Sequence, residues 1–181
     1  FEDFSRRKIL VLGDVMIDAY LEGKVNRMSP EAPVPIVSFT SEEQRLGGAA
    51  NVALNLLSLG ASVTICSVIG DDNNGKDLQD LMRKQFISVE GLVLSPNRKT
   101  TVKTRVIGNN QQLLRVDNEQ TNDILKSEED QLVSKIEDLL KSNFDAIIFE
   151  DYNKGVLTES LIDRVISLAK KYKVITTVDP K

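Results

Sequence analysis

The sequence predicts an α/β fold, layered around a mostly parallel sheet, with a small β lid over one end. Three observations carry this. Short continuous apolar runs, the pattern of strands buried on both faces, recur along the chain. Helical stretches alternate with them, as in parallel-sheet folds. Two extended stretches, one rich in Pro and one centred on Gly and Asn, break that alternation. The body is expected over residues 8–18, 45–99 and 118–181, and the lid over 19–44 and 100–117.

The first strand is Lys8-Ile9-Leu10-Val11-Leu12-Gly13. Between Asp18 and Gln44, Pro30, Pro33 and Pro35 precede Ile36-Val37-Ser38-Phe39-Thr40. Proline sits at strand starts or on edges, so this stretch reads as strands outside the main sheet. A helix runs from Ala49 to Leu59, with Gly60 as its C-terminal cap. It is apolar nearly all round and so is expected to be deeply buried. A second strand, Ser62 to Gly70, leads through Gly70-Asp71-Asp72-Asn73-Asn74-Gly75 into a helix from Asn74 to Gln85. That Asp/Asn cluster reads as a turn and helix cap, and it lacks a complete calcium-loop pattern. From Thr100 to Asp117, two β-like runs flank Gly108-Asn109-Asn110, which makes a hairpin. Ser127-Glu128-Glu129-Asp130 looks like a capping box opening a helix to Ser142. Strands at Asp145–Glu150 and Lys173–Asp179 enclose a helix from Thr158 to Tyr172, with Lys170 and Lys171 in its last turn.

Composition excludes several classes. Over 181 residues the chain is 41% hydrophobic and 28% charged, an ordinary globular balance. A net charge of −4 leaves no broad basic face for nucleic acid. No apolar run approaches the ~18 residues of a membrane span. Phe1 to Lys8 lacks the long apolar core of a signal peptide. One Cys excludes an internal disulfide and fits a reducing, cytoplasmic setting. With no His and one Cys, a zinc site is not expected, and acid–base chemistry falls to Asp, Glu or Lys.

Ligands of open α/β sheets bind beyond the carboxyl ends of strands. Asp14 and Asp18 stand just past the first strand, where a carboxylate can accept hydrogen bonds from sugar hydroxyls. Asp14 has two readings, a turn cap or a ligand. A lone Gly13 fails the dinucleotide fingerprint. Gly47 and Gly48 precede a helix start, where a ligand can approach the backbone, and Asn51 follows in the first turn as a buried amide in need of partners. Lys103 and Arg105 lie two apart on one hairpin strand and share a face, an arrangement suited to a phosphate, with a solvated edge as the plain reading. Asp151 and Lys154, in Glu150-Asp151-Tyr152-Asn153-Lys154-Gly155, again put charge past a strand end. The last strand ends at Asp179-Pro180-Lys181, where a ligand loop is expected to begin, and this reads as a cut.

Gly47-Gly48-x-x-Asn51, Asp18 and Gly70-Asp71-Asp72-x-x-Gly75 together resemble the ribokinase-like (pfkB) family of sugar kinases. Several strings are similar to its heptose 7-phosphate kinase branch: Gly13 to Asp18, Ser29-Pro30-Glu31-Ala32-Pro33-Val34-Pro35, Gly47 to Ala53, Asn110-Gln111-Gln112-Leu113-Leu114-Arg115 and Asp151-Tyr152-x-Lys154-Gly155. In many bacteria that branch is the kinase half of a bifunctional kinase/adenylyltransferase making ADP-heptose for lipopolysaccharide. The resemblance implies a ribokinase-like three-layer sandwich that uses ATP and Mg2+ to phosphorylate the anomeric oxygen of D-glycero-D-manno-heptose 7-phosphate. It implies sugar contacts from Asp14, Asp18, Gly47, Gly48 and Asn51, phosphate contacts from Lys103, Arg105 and Lys154, and a homodimer through the lid. Ala19 and Glu150 depart from the pattern, where the family usually has Arg and a small residue. The family's Asn-x-x-Glu magnesium motif and its Gly-Ala-Gly-Asp motif, which carries the base, do not occur in this sequence. The base is therefore expected beyond Lys181, and the 181 residues alone are expected to be inactive. Another pfkB sugar kinase, or a non-catalytic sugar-phosphate-binding module, are the alternative readings.

Overall fold

The computed structural model describes residues 4–179. Five strands form the body sheet in the order β5-β4-β1-β8-β9. They are β1 (Lys8–Gly13), β4 (Ser62–Gly70), β5 (Ser88–Ser95), β8 (Ala146–Glu150) and β9 (Ile175–Asp179). All four pairings between them are parallel. Four helices cover the two faces: α1 (Ala49–Ser58), α2 (Asn73–Lys84), α3 (Lys126–Leu140) and α4 (Glu159–Tyr172).

Strand periodicity sends alternate residues to opposite faces, and this makes two cores. Ile9, Val11, Val63 and Ile65 pack with Ala49, Ala50, Ala53, Leu78 and Met82 of α1 and α2. Leu10, Leu12, Cys66, Ile147 and Phe149 pack with Leu132, Ile136, Leu161 and Val165 of α3 and α4. Burial pushes the Cys66 thiol well above its ordinary range, so it behaves as a small apolar side chain. Among the described residues no helix is long and apolar enough to cross a membrane.

The second sheet has the order β3-β2-β6-β7, formed by β2 (Val15–Met28), β3 (Pro35–Gly48), β6 (Val102–Gly108) and β7 (Gln111–Asn118). Pro30 and Pro33 lie in the β2–β3 turn, and Pro35 opens β3. Asn109 and Asn110 join β6 to β7 with φ of 50° and 65°, a two-residue turn whose positive angles match the twist of a hairpin. The sheet begins at Val15 and runs to Gly48, so its edges lie outside the 19–44 expected for the lid, and Asp18 belongs to it.

Three expectations on the elements are corrected. β5 was not anticipated. The N-cap of α3 is Leu125, not Ser127: the Leu125 amide donates to Glu128 Oε2 at 2.8 Å. Helix α1 is buried on one side, through Ala49, Ala50 and Ala53, and its Asn51, Asn55 and Ser58 are exposed. Ala19 is buried against the body, on the face of β2 opposite Asp18. The Gly70–Gly75 turn is a helix cap as read: Asp72 accepts from the Gly75 amide at 2.7 Å and from the Thr100 amide at 3.0 Å.

Candidate functional site

The body sheet reverses its strand order at β1, which lies between β4 and β8. Open α/β sheets bind ligands at such a switch point, outside the carboxyl ends of the strands. Asp14 stands there, fully buried. Its Oδ2 accepts from the Tyr152 amide at 2.9 Å and the Lys154 amide at 3.0 Å, and its Oδ1 from the Val156 amide at 3.2 Å. Three backbone donors occupy this carboxylate. Asp14 therefore shapes the loop after β8, and these contacts favour the cap among its two readings.

Asp18 lies on the face of β2 opposite the buried Ala19. In register it lies beside Lys103 on β6 and Arg45 on β3. Arg105 Nη1 donates to Asp18 Oδ1 at 2.6 Å. The Arg105 and Arg45 guanidinium carbons sit 5.2 Å and 4.8 Å from the centroid of the Tyr20 ring, so the ring holds both cations from the strand between them. Gly47 is the floor under this carboxylate: a Cβ there would run into Asp18 Oδ2. Gly48, at φ +58°, would bring a Cβ against the Asp14 carbonyl. Both glycines are buried by the chain's own packing: Gly47 sets the position of Asp18, and Gly48 packs on the Asp14 carbonyl and the Met16 side chain.

Next to this pair lies a second charged group. Lys103 Nζ donates to Asp117 Oδ2 at 3.0 Å and to Glu119 Oε2 at 2.9 Å, and Lys154 Nζ donates to Glu119 Oε1 at 2.9 Å. Burial works to lower the Lys103 pKa, but its hydrogen bonds to Glu119 and Asp117 outweigh it and hold the group above its ordinary value. The Lys103 ammonium in turn holds Glu119 below the usual carboxylate range, helped by Lys154 against the opposing effect of burial. Arg98 fixes the backbone around them: its guanidinium donates to the carbonyls of Asn122 at 2.9 Å, of Gln120 at 3.4 Å, and of Lys154. Burial lowers the Arg98 pKa, with Asp14, Glu128 and Asp123 acting the other way. Sequence reasoning missed Glu119, Arg98 and Tyr20. Tyr20, two residues past Asp18 on one strand, carried a signal that alternation could have given.

The remaining expected residues are not gathered here. Asn51 is exposed and lines a shallow groove with Glu43, Arg45, Leu46, Leu54, Leu81 and Gln85. It is not the buried amide expected. Asp151 accepts from the Asn153 amide at 2.7 Å and lines an apolar groove with Phe149, Leu157 and Val178. Glu150 is buried at the end of β8, where burial and then the Asp179 carboxylate raise its pKa. Burial also raises the Tyr152 pKa, followed by the charges of Glu150, Asp179 and Asp18.

The sequence of residues 6–181 matches the model of the pfkB family of carbohydrate kinases. The chain belongs to that family. Among curated pfkB relatives, the bifunctional protein HldE of Aliarcobacter butzleri is 46% identical over 177 residues, which are 98% of this chain and 37% of that protein. HldE of Helicobacter acinonychis is 45% identical over 179 residues, 97% of this chain and 38% of that protein. The chain thus spans well under half the length of the curated relatives it matches. A carbohydrate kinase from Agrobacterium tumefaciens superposes with a TM-score of 0.68 at 20% identity, over 95% of this chain and 53% of that one. Escherichia coli phosphofructokinase-2 gives 0.70 at 17% identity, over 97% and 55%. Arabidopsis thaliana ribokinase, solved with ribose and ATP, gives 0.64 at 14% identity, over 96% and 53%. These likenesses establish the ribokinase-like fold. Among the described residues no group of three Asp, Glu, Cys or His side chains is placed to hold a metal ion.

Proposed function

We propose that these residues form the sugar-phosphate-binding part of an ATP-dependent carbohydrate kinase. Its substrate is D-glycero-D-manno-heptose 7-phosphate, and the anomeric oxygen is the acceptor, as ADP-heptose synthesis requires. The observation that carries the reading is the pairing of two sites on one lid face. A carboxylate suited to sugar hydroxyls, Asp18, lies in register beside Lys103, whose charge is shared with Lys154 through Glu119. The likeness to proteins named HldE at 46% and 45% identity supports the choice of sugar.

In this reading Asp18 accepts hydroxyl hydrogen bonds and Arg105 orients it. Lys103 and Lys154 hold the 7-phosphate, with Arg105 at its edge. Gly47 keeps Asp18 in place, Gly48 holds the turn against the Asp14 carbonyl, and Asp14 holds the loop that carries Lys154. ATP, Mg2+ and the base belong to parts of the protein outside residues 4–179. The far face of the lid carries Leu114 and Val116, opposite Val106 and Thr104, and both are largely exposed. A second copy docking on that apolar face makes the homodimer, which sedimentation velocity tests.

The functional test is transfer of labelled phosphate from ATP by the protein that carries this chain. It is run with heptose 7-phosphate, with heptose lacking the phosphate, and with fructose 6-phosphate. Efficient transfer to the first alone is expected. Preference for fructose 6-phosphate assigns a different pfkB substrate, and sugar-phosphate binding without transfer to any of the three assigns a binding module.

A further inference from the structure

The two lysines are unusually enclosed for their type. The Lys103 side chain is 14% exposed and that of Lys154 13%, whereas Glu119 between them is 23% exposed. Lysine is rarely covered to this degree unless paired. Each ammonium takes a different oxygen of one carboxylate, at 2.9 Å in both cases. Two cations thus converge on a single anion position. They come from different parts of the fold, Lys103 from β6 of the lid and Lys154 from the loop after β8 of the body.

The backbone around this position is clamped. Arg98 binds the carbonyls of Gln120, Asn122 and Lys154, and Asp14 binds the amides of Lys154 and Val156. The Glu119 side chain is less covered than either lysine and carries no backbone hydrogen bond in the ion triad, so it can swing out without moving the chain. If it leaves, Lys103 keeps Asp117 at 3.0 Å. Lys154 has no second ion pair among the described residues, so it is the cation set free.

From this geometry, and resting on the reading of Lys103 and Lys154 as phosphate contacts, we infer that Glu119 is a built-in occupant of the phosphate seat. In the free protein its carboxylate fills the position between the two ammonium groups, and the substrate's phosphate displaces it. The exchange replaces one anion by another of higher charge and leaves no buried cation unpaired at either stage. Glu119 therefore tunes affinity for the phosphate end and ties lid to body when the seat is empty.

Calorimetric titration of inorganic phosphate into the whole protein tests this, with native, Glu119→Gln, Glu119→Asp and Lys154→Met forms and a thermal melt of each. Removing the competing charge should tighten phosphate binding about three- to tenfold in Glu119→Gln, the scale of a partly shielded ion pair that need not be broken. Glu119→Asp, whose shorter arm cannot reach both ammonium groups, should tighten it less, and it decides the matter if the Gln form does not fold. Lys154→Met should weaken binding. Unchanged or weaker binding in both Glu119 variants, with the loss in Lys154→Met intact, would overturn the inference and leave the lysines as phosphate contacts. Unchanged binding in Lys154→Met would remove the phosphate reading itself, and the inference with it.

Discussion

Arg105 Nη1 donates to Asp18 Oδ1 at 2.6 Å across adjacent parallel strands of the lid, with Tyr20 stacked under the guanidinium. The pair keeps the Asp18 carboxylate aimed. Both side chains are about one-fifth exposed, and an amide oxygen at position 18 can still accept from Arg105. Asp18→Asn should therefore leave the melting temperature nearly unchanged. It should weaken sugar binding at least roughly tenfold, the loss of one charge-assisted hydrogen bond. Calorimetry beside a thermal melt reads both. A large fall in melting temperature with sugar affinity intact would make Asp18 a structural residue.

Asp14 should behave in the opposite way. Its carboxylate satisfies the amides of Tyr152, Lys154 and Val156 in a buried position. Asp14→Asn turns an NH2 group toward N–H donors. The expected cost is about 2–3 kcal/mol of folding stability, measured by urea unfolding without ligand. Full stability with lost sugar binding would return Asp14 to the ligand set.

The two glycines before α1 separate likewise. Gly47→Ala places a methyl against Asp18 Oδ2, so it should weaken sugar binding more than it lowers stability. Gly48→Ala forces an L side chain into φ +58° and against the Asp14 carbonyl, so it should cost at least about 1–2 kcal/mol of stability. Equal effects of the two substitutions on both quantities would contradict these separate roles.

The chain's own pattern shows most of the fold, and the exceptions have physical reasons. Ile9 to Leu12 and Val63 to Ile69 are buried on both faces, so their apolar runs are continuous and easily seen. β5 was hidden because Glu90-Gly91 interrupts its run, although Leu92 and Val93 are buried. The lid showed itself through Pro35 and through Asn109-Asn110, residues whose backbone preferences are local. The site was less legible, because its partners are distant in sequence. Asp14 is satisfied by amides 138 to 142 residues away, and nothing near it foretells that. Lys103 and Arg105 were rightly placed on one face, but the anions that hold them come from β2, from β7 and from the segment after it.

Glu129 gives a pH signature remote from the site. Burial tends to raise its pKa, but hydrogen bonds from Lys126, Arg164 and Ser160 win and lower it to about 2. The unfolded chain titrates near the ordinary value of 4.5, so the stabilisation is complete above that pH and is lost as pH falls from there through about 2. Between about pH 7 and pH 3 the native protein should lose roughly 2 kcal/mol more than Glu129→Gln, read by urea unfolding at both. Parallel losses in the two proteins would assign the acid limb to other carboxylates.

The central claim is that one end of the site reads the sugar and the other its phosphate. The direct measurement is a pair of affinities, for heptose 7-phosphate and for the same heptose without phosphate, in the native protein and in Lys103→Met. Removing the ammonium that lies in register beside Asp18 should weaken the phosphorylated ligand about tenfold or more and leave the plain sugar within about twofold. Equal changes for the two ligands would contradict the account, because Lys103 would then be only a support for the lid.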